Sequence, residues 1–195
     1  IRYKRFSVEG LDAGLDFFKN DNSVFGLLLT PRFYEVKSSF ADDGELNGID
    51  TTHRTVFAGV SYQYQHALFQ VAANALKDVG GESDGTEANL TVSRGFNWGD
   101  FTIAPSLGLV WQDGRLVEHF YGVADDETAP GRPAYGEHSS LNYQAALTGI
   151  WTPGKHWHLL AVVKEDYLGE GITDSPIIDE RSLTSVAVGA VFYFW

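Results

Sequence analysis

The feature that most constrains this chain is a period-two alternation sustained over segments of roughly a dozen residues, against the ~5–6 usual for strands of water-soluble domains. From Arg5 onward nine such segments can be traced, at 5–18, 22–36, 52–65, 67–77, 87–98, 101–113, 139–151, 156–167 and 181–195, and Ile1 to Lys4 reads as the end of an earlier strand. Successive side chains of a strand point to opposite faces, so each segment can be split by parity. One face carries Phe25, Leu27, Leu29, Val56, Val60, Tyr62, Phe69, Val71, Ile103, Leu107, Leu109, Tyr143 and Leu147. The other carries Gly59, Ser61, Gln63, Gln70, Asn74, Asn89, Thr91, Ser106, Asn142, Gln144 and Thr148. A strand wetted by bulk water is normally protected by Lys and Glu. Uncharged amides, hydroxyls and glycines instead suit a confined, hydrated interior in which polar groups satisfy one another. Segments of this length cross a bilayer when tilted, so the apolar face is expected to look out at lipid and the polar face inward.

The connections support that arrangement. They run short, long, short, long: Lys19 to Asp21, Lys37 to Thr51, Gln65-His66, Asp78 to Ala88, Gly99-Asp100, Gly114 to His138, Pro153 to Lys155, and Gly169 to Glu180. Antiparallel succession then gathers the tight turns at one end and the long loops at the other, the asymmetry of barrels with periplasmic turns and extracellular loops. The long loops hold most of the 26 acidic residues and leave the strands nearly neutral. Aromatic residues of the apolar face gather near strand ends, with Tyr62, Tyr64, Phe101, Trp151 and Trp157 by the tight turns and Trp111 by a long loop. Rings so placed match membrane-interface belts. The competing reading is a soluble β-barrel with these rings in its core.

Composition narrows the function classes. The net charge of −12 leaves no basic stripe to neutralise phosphates, so no nucleic-acid partner is expected. Without cysteine there is neither a disulfide framework nor a thiolate metal site. No apolar run approaches the ~18 residues of a membrane helix, the longest being short pieces such as Val24 to Leu29. The absence of methionine and of a basic-then-apolar leader reads as a processed chain or a piece of one. Two irregularities stand out: Arg94 shares a face with Leu90, Val92 and Phe96, and Pro31 and Pro105, which cannot donate to a ladder, imply bulges or broken pairing.

The final segment, Arg181 to Trp195, ends on an aromatic residue with Tyr193 two places earlier, and so resembles the closing strand of bacterial outer-membrane barrels. It is apolar on both faces, which leaves its orientation open. Phe120-Tyr121-Gly122-Val123, followed by an acidic, Pro-rich loop, and Asp174-Ser175-Pro176-Ile177-Ile178 before the closing strand resemble the MipA/OmpV family of MltA-interacting outer-membrane proteins. The family pattern has Tyr-Tyr-Gly-Val and Asp-Ser-Pro-aliphatic-aliphatic in the last two long loops; here Phe120 replaces the first Tyr, and Phe194 stands where a polar residue is common. Val8 to Leu11 and Thr30 to Tyr34 are similar to the same family, and the resemblance covers nearly the whole chain.

The resulting expectation is all-β, a single domain over residues 1–195 built as an antiparallel up-and-down transmembrane β-barrel. Twelve strands are expected when intact, with ten as the runner-up, and the first one or two strands are expected to be missing here. The resemblance implies a non-enzymatic outer-membrane protein surrounded by lipid and lipopolysaccharide. It also implies a scaffold linking a murein transglycosylase to a peptidoglycan synthase, with a narrow porin or a surface adhesin as the alternatives. The two loop motifs are structural or interaction candidates.

Chemistry-bearing residues are sparse. Asp12, Asp16, Arg32, Lys164 and Asp166 fall on inward positions and are expected either to pack as an ion-paired plug or to line a pore. His156 and His158 flank Trp157 on one face without a visible third ligand, so polar positions at the membrane interface are the plainer reading and no metal is expected. Asp42, Asp43, Glu45 and Asp50 miss the EF-hand spacing. Their charge suits a solvated loop, or divalent ions bridging to anionic lipopolysaccharide. No nucleophile elbow, phosphate loop or carboxylate dyad is present, although His66, His119 and His138 leave a Ser–His hydrolase formally open. No cofactor is expected.

Overall fold

Pairing of backbone groups between consecutive strands organises the whole molecule. The computed structural model describes residues 2–9, 11–32 and 54–192, so the acidic stretch with Asp42, Asp43, Glu45 and Asp50, and the terminal Tyr193, Phe194 and Trp195, lie outside the described residues. The strands are β1 (Arg2–Tyr3), β2 (Phe6–Glu9), β3 (Asp12–Lys19), β4 (Ser23–Arg32), β5 (Thr55–Gln65), β6 (Gln70–Asp78), β7 (Thr86–Ser93), β8 (Phe96–Trp98), β9 (Phe101–Gln112), β10 (Ser140–Trp151), β11 (Trp157–Tyr167) and β12 (Ser182–Phe192). They form one antiparallel sheet in chain order from β1 to β12, with β8 pairing β9 beside β7. Among the described residues no ladder joins β12 back to β1. Among the described residues no helix is long and apolar enough to cross a membrane.

The expected segments map onto these strands with two corrections. Segment 5–18 is not one strand: the chain reverses after Glu9, and β2 pairs β3 through Phe6↔Leu15 to Glu9↔Asp12. The reversal between Glu9 and Asp12 is one that alternation alone conceals. Segment 87–98 divides into β7 and β8 opposite Pro105, although the register is the same on both sides of the break, Val92↔Leu107 and Phe96↔Ile103. Pro105 lacks the N–H that the ladder needs there, and Arg94 instead donates its own N–H to the Pro105 carbonyl at 3.1 Å. Pro31 does not disturb pairing, contrary to expectation. It stays in register with Val56 and lies beyond Leu29, the last β4 residue paired to β3.

Face assignment follows the sequence reading. Leu15, Leu27, Val60, Leu90, Leu107, Leu147 and Val163 are exposed on the outer face, whereas Asn142, Thr30 and Asp16 are buried on the inner one. The rings expected in a soluble core are on the outside. Near the tight turns Phe101 stacks on Trp151 at 5.5 Å and 2°, Trp157 meets Phe192 at 4.8 Å, and Tyr64 lies 6.2 Å from Phe69. At the loop end Trp111 pairs Leu141, and Tyr143 pairs Tyr167. The orientation of β12 is resolved by register, because Val163↔Val186 and Glu165↔Thr184 turn its even-numbered residues outward and leave Leu183 and Ser185 inside. Arg94 does stand outside, with its guanidinium 4.8 Å from the Phe96 ring.

Leu147 lies between the two aromatic belts, so Leu147→Arg is expected to lower folding stability in lipid vesicles by about 2–4 kcal/mol. Thr148→Arg, one residue on and facing inward, is expected to cost much less; equal losses by denaturant titration would invalidate the face assignment.

Candidate functional site

The long loop between β9 and β10 begins with Asp113, whose carboxylate accepts the Leu116 N–H at 3.0 Å and caps helix α1 (Gly114–Tyr121). Leu116, Val117 and Phe120 recur at helical spacing and bury together, with Val117 0% and Leu116 1% exposed. Leu116 and Phe120 pack on Phe57 and Leu76, inward residues at the loop ends of β5 and β6, with Leu28 and Tyr121 against the same cluster. Gly85 allows the close approach, since a Cβ there would sit 2.6 Å from the Leu116 Cβ. A second helix, α2 (Glu170–Thr173), contributes buried Ile172 from the loop between β11 and β12. The loop-end mouth is therefore covered by an apolar cap made from two connections that the sequence reading treated as charged loops.

The two family motifs meet in this cap. Phe120 is in its core, and the Tyr121 carbonyl accepts the Ser175 hydroxyl at 2.6 Å across 54 residues of chain. Gly122 ends α1 by donating to the Glu118 carbonyl at 2.8 Å, and a Cβ at that position would lie 2.3 Å from the same oxygen. Val123 is buried and exchanges both backbone hydrogen bonds with Tyr135, at 2.9 Å each. Buried Ser175 also receives the Ile177 N–H at 3.4 Å, which fixes the turn through Pro176 after Asp174. Tyr135 donates its hydroxyl to the Gly171 carbonyl at 3.0 Å and stacks on His138 at 4.6 Å. Burial raises the Tyr135 phenol above its ordinary value, and the Asp174 carboxylate adds to the rise. At the neighbouring loop Asp78 accepts the N–H groups of Gly80, Gly81, Glu82 and Ser83 and the hydroxyls of Ser83 and Thr55, so one buried carboxylate organises residues 79–85.

Beneath the cap lies a cavity of about 480 Å³ with polar walls. Arg32 reaches Glu87 at 2.6 Å, although β5 and β6 stand between their strands. Three strand spacings along a flat sheet would separate β4 from β7 by about 14 Å, so this contact is a chord across a strongly curved wall. Glu87 also accepts from Asn89 at 2.8 Å and Gln112 at 3.5 Å, and Gln112 accepts from Asn142 at 3.2 Å. Asn142 in turn takes the Gly169 N–H at 2.8 Å, tying the wall to the start of α2. On the facing wall Lys164 pairs Asp166 at 2.6 Å, and Gln144 donates to Asp166 at 2.6 Å.

The five inward candidates thus fall into separate groups. Lys164 and Asp166 form a pair, whereas Arg32 pairs with Glu87, which the inward candidates omitted. Asp12 and Asp16 line a second cavity of about 230 Å³ nearer the tight turns, and Asn74 borders both cavities. Among the described residues no three His, Cys, Asp or Glu side chains are grouped to hold a metal. His158 turns toward Thr152 at 3.4 Å, and His156 lies 5.7 Å from the Phe192 ring. The helical cap left signals in the sequence: Asp113 as an N-cap, the 116, 117, 120 spacing after it, and Leu28, Phe57 and Leu76 breaking the polar face near the loops.

The family model for MltA-interacting protein MipA matches residues 1–194. The chain belongs to that family. It is 28% identical to the putative outer membrane protein YiaT of Escherichia coli O157:H7, over all of this chain and 80% of that one. It is 28% identical to YiaT of strain K12 over 78% of this chain, spanning 63% of that relative. The MltA-interacting protein of strain K12 is 24% identical over 85% of this chain and 66% of its own length. No solved structure matches. Family and strand pattern together make this an outer-membrane protein.

Removing the Ser175 hydroxyl by Ser175→Ala is expected to weaken the cap by about 1–3 kcal/mol, seen as faster amide exchange in α1 while exchange in β9 and β10 is unchanged. Uniform acceleration would mean that the cap is not a separate unit. The raised Tyr135 phenol stabilises the cap below its unfolded value of 10.0 and loses that contribution as pH climbs through the folded value. Exchange in α1 is therefore expected to accelerate above pH 10.0 in the native protein and less in Tyr135→Phe; indistinguishable alkaline profiles would refute this.

Proposed function

We propose that the protein is a non-enzymatic outer-membrane scaffold that docks a murein transglycosylase and, through it or beside it, a peptidoglycan synthase. The printed name of one relative, MltA-interacting protein, points to the first partner. The observation that carries the reading against an open pore is the position of α1, whose Leu116 and Phe120 pack against Phe57 and Leu76 at the loop end of the sheet. A non-catalytic role is supported by the spread of the histidines, His66 at a tight turn and His119 and His138 in the cap. The docking surface is periplasmic in this reading and made by the tight turns. Those turns are short, so the interface is small and its affinity depends on a few residues.

A narrow porin is the second reading, favoured by the charged and amide-rich cavity under the cap. Single-channel recording separates the two. The scaffold is expected to give a flat trace at all voltages and to retain a purified murein transglycosylase in a detergent pull-down. Stepwise conductance with no retained enzyme would replace the first reading by the second.

A further inference from the structure

The cavity beneath the cap has the makings of a ligand site in its own right. Its volume, about 480 Å³, lies within the ~300–1,000 Å³ range of small-molecule pockets. Among the described residues its charged lining is Arg32, Glu87, Lys164 and Asp166, and each cation holds a carboxylate at 2.6 Å. The lining is formally neutral, and a charged solute entering it would lose hydration without meeting an uncompensated counter-charge. What remains for recognition is a high density of groups that donate and accept: the amides of Asn74, Asn89, Gln112, Asn142 and Gln144 and the hydroxyl of Thr91. Rings of Phe57, Phe120 and Tyr121 form the roof. Apolar ring faces above a bed of two-way hydrogen-bonding groups match the chemistry of a sugar, which presents C–H patches on one side and hydroxyls around its edge.

The helices α1 and α2 lie over the loop end of this cavity, and the second cavity, which shares Asn74 with it and is lined by Ser7, Ser61 and Gln63, lies nearer the tight turns. We propose that the cavity under the cap binds an uncharged saccharide of one or two rings. The inference does not rest on the scaffold reading, because it concerns the isolated barrel and neither a partner enzyme nor conductance.

Saturation-transfer NMR on the detergent-folded protein tests it, with glucose, N-acetylglucosamine, maltose and chitobiose as neutral probes and glucose 6-phosphate and glucosamine as charged ones. At least one neutral probe is expected to bind with a millimolar or lower Kd, about tenfold tighter than its charged counterpart. Thr91→Trp, which fills the cavity from mid-barrel, is expected to weaken that binding by about tenfold or more. Asn97→Trp, on a strand outside the cavity lining, should leave it unchanged. Folding of each variant is checked by its heat-sensitive mobility on gels, and Gln144→Leu serves in place of Thr91→Trp if the latter does not fold. No binding of any neutral probe, equal binding of the charged probes, or undiminished binding in the cavity variant would each overturn the proposal.

Discussion

A strand inside hydrocarbon has nowhere to send its N–H and C=O groups except to another strand, and that constraint governs this molecule. Every strand from β2 to β11 except β8, which pairs β9 alone, has a partner on both sides along part of its length, in chain order and with nearly unbroken register. Once backbone pairing is fixed, the two-residue period decides which side chains face lipid. Leu147 and Val163 sit directly opposite each other on the outside, and Leu107, opposite Ala145, lies on the diagonal from Leu147. The apolar surface that would be a liability in water is here the side that meets the solvent.

The same periodicity explains how the mouth is closed. Leu28, Phe57 and Leu76 occupy inward parity at the loop ends of adjacent strands, where amides would otherwise continue. They cannot be hydrated cheaply in a confined lumen, and they cannot reach lipid. An amphipathic helix folded back into the mouth resolves this, and α1 supplies it. Below that seal, polar groups return and satisfy one another from Arg32 through Glu87 and Gln112 to Asn142. The lumen is thus divided by depth into an apolar lid and a polar well.

Strand existence and facing were legible in the sequence because both follow from alternation, which needs no knowledge of neighbours. The hairpin between β2 and β3 was not, since a reversal between two short alternating runs keeps the same pattern as one long run. The cap is not legible for a different reason: the 114–138 connection reads by its charge, and apolar Leu116 and Phe120 acquire meaning only through a partner surface on β5 and β6. Likewise Arg32 and Lys164 were recognisable as inward charges, but the pairing of Arg32 with Glu87 depends on wall curvature, which no local pattern encodes. The family motifs were visible as strings, while their purpose depended on a contact between residues 121 and 175.

That contact also indicates how independent the lid is from the wall. Ordering a connection of this length costs backbone entropy that burial of a handful of side chains must offset. The margin then rests on cross-loop bonds, Ser175 to Tyr121 and Tyr135 to Gly171, and on the tie from Asn142 to Gly169. The wall gains from dozens of ladder bonds in a medium that punishes breaking any of them, whereas the lid sits at the water end and loses far less on opening. Lid and wall should therefore differ sharply in local stability within one sheet, and a solute held in the polar well would feel that difference through Phe120 and Tyr121, which belong to the lid but line the well.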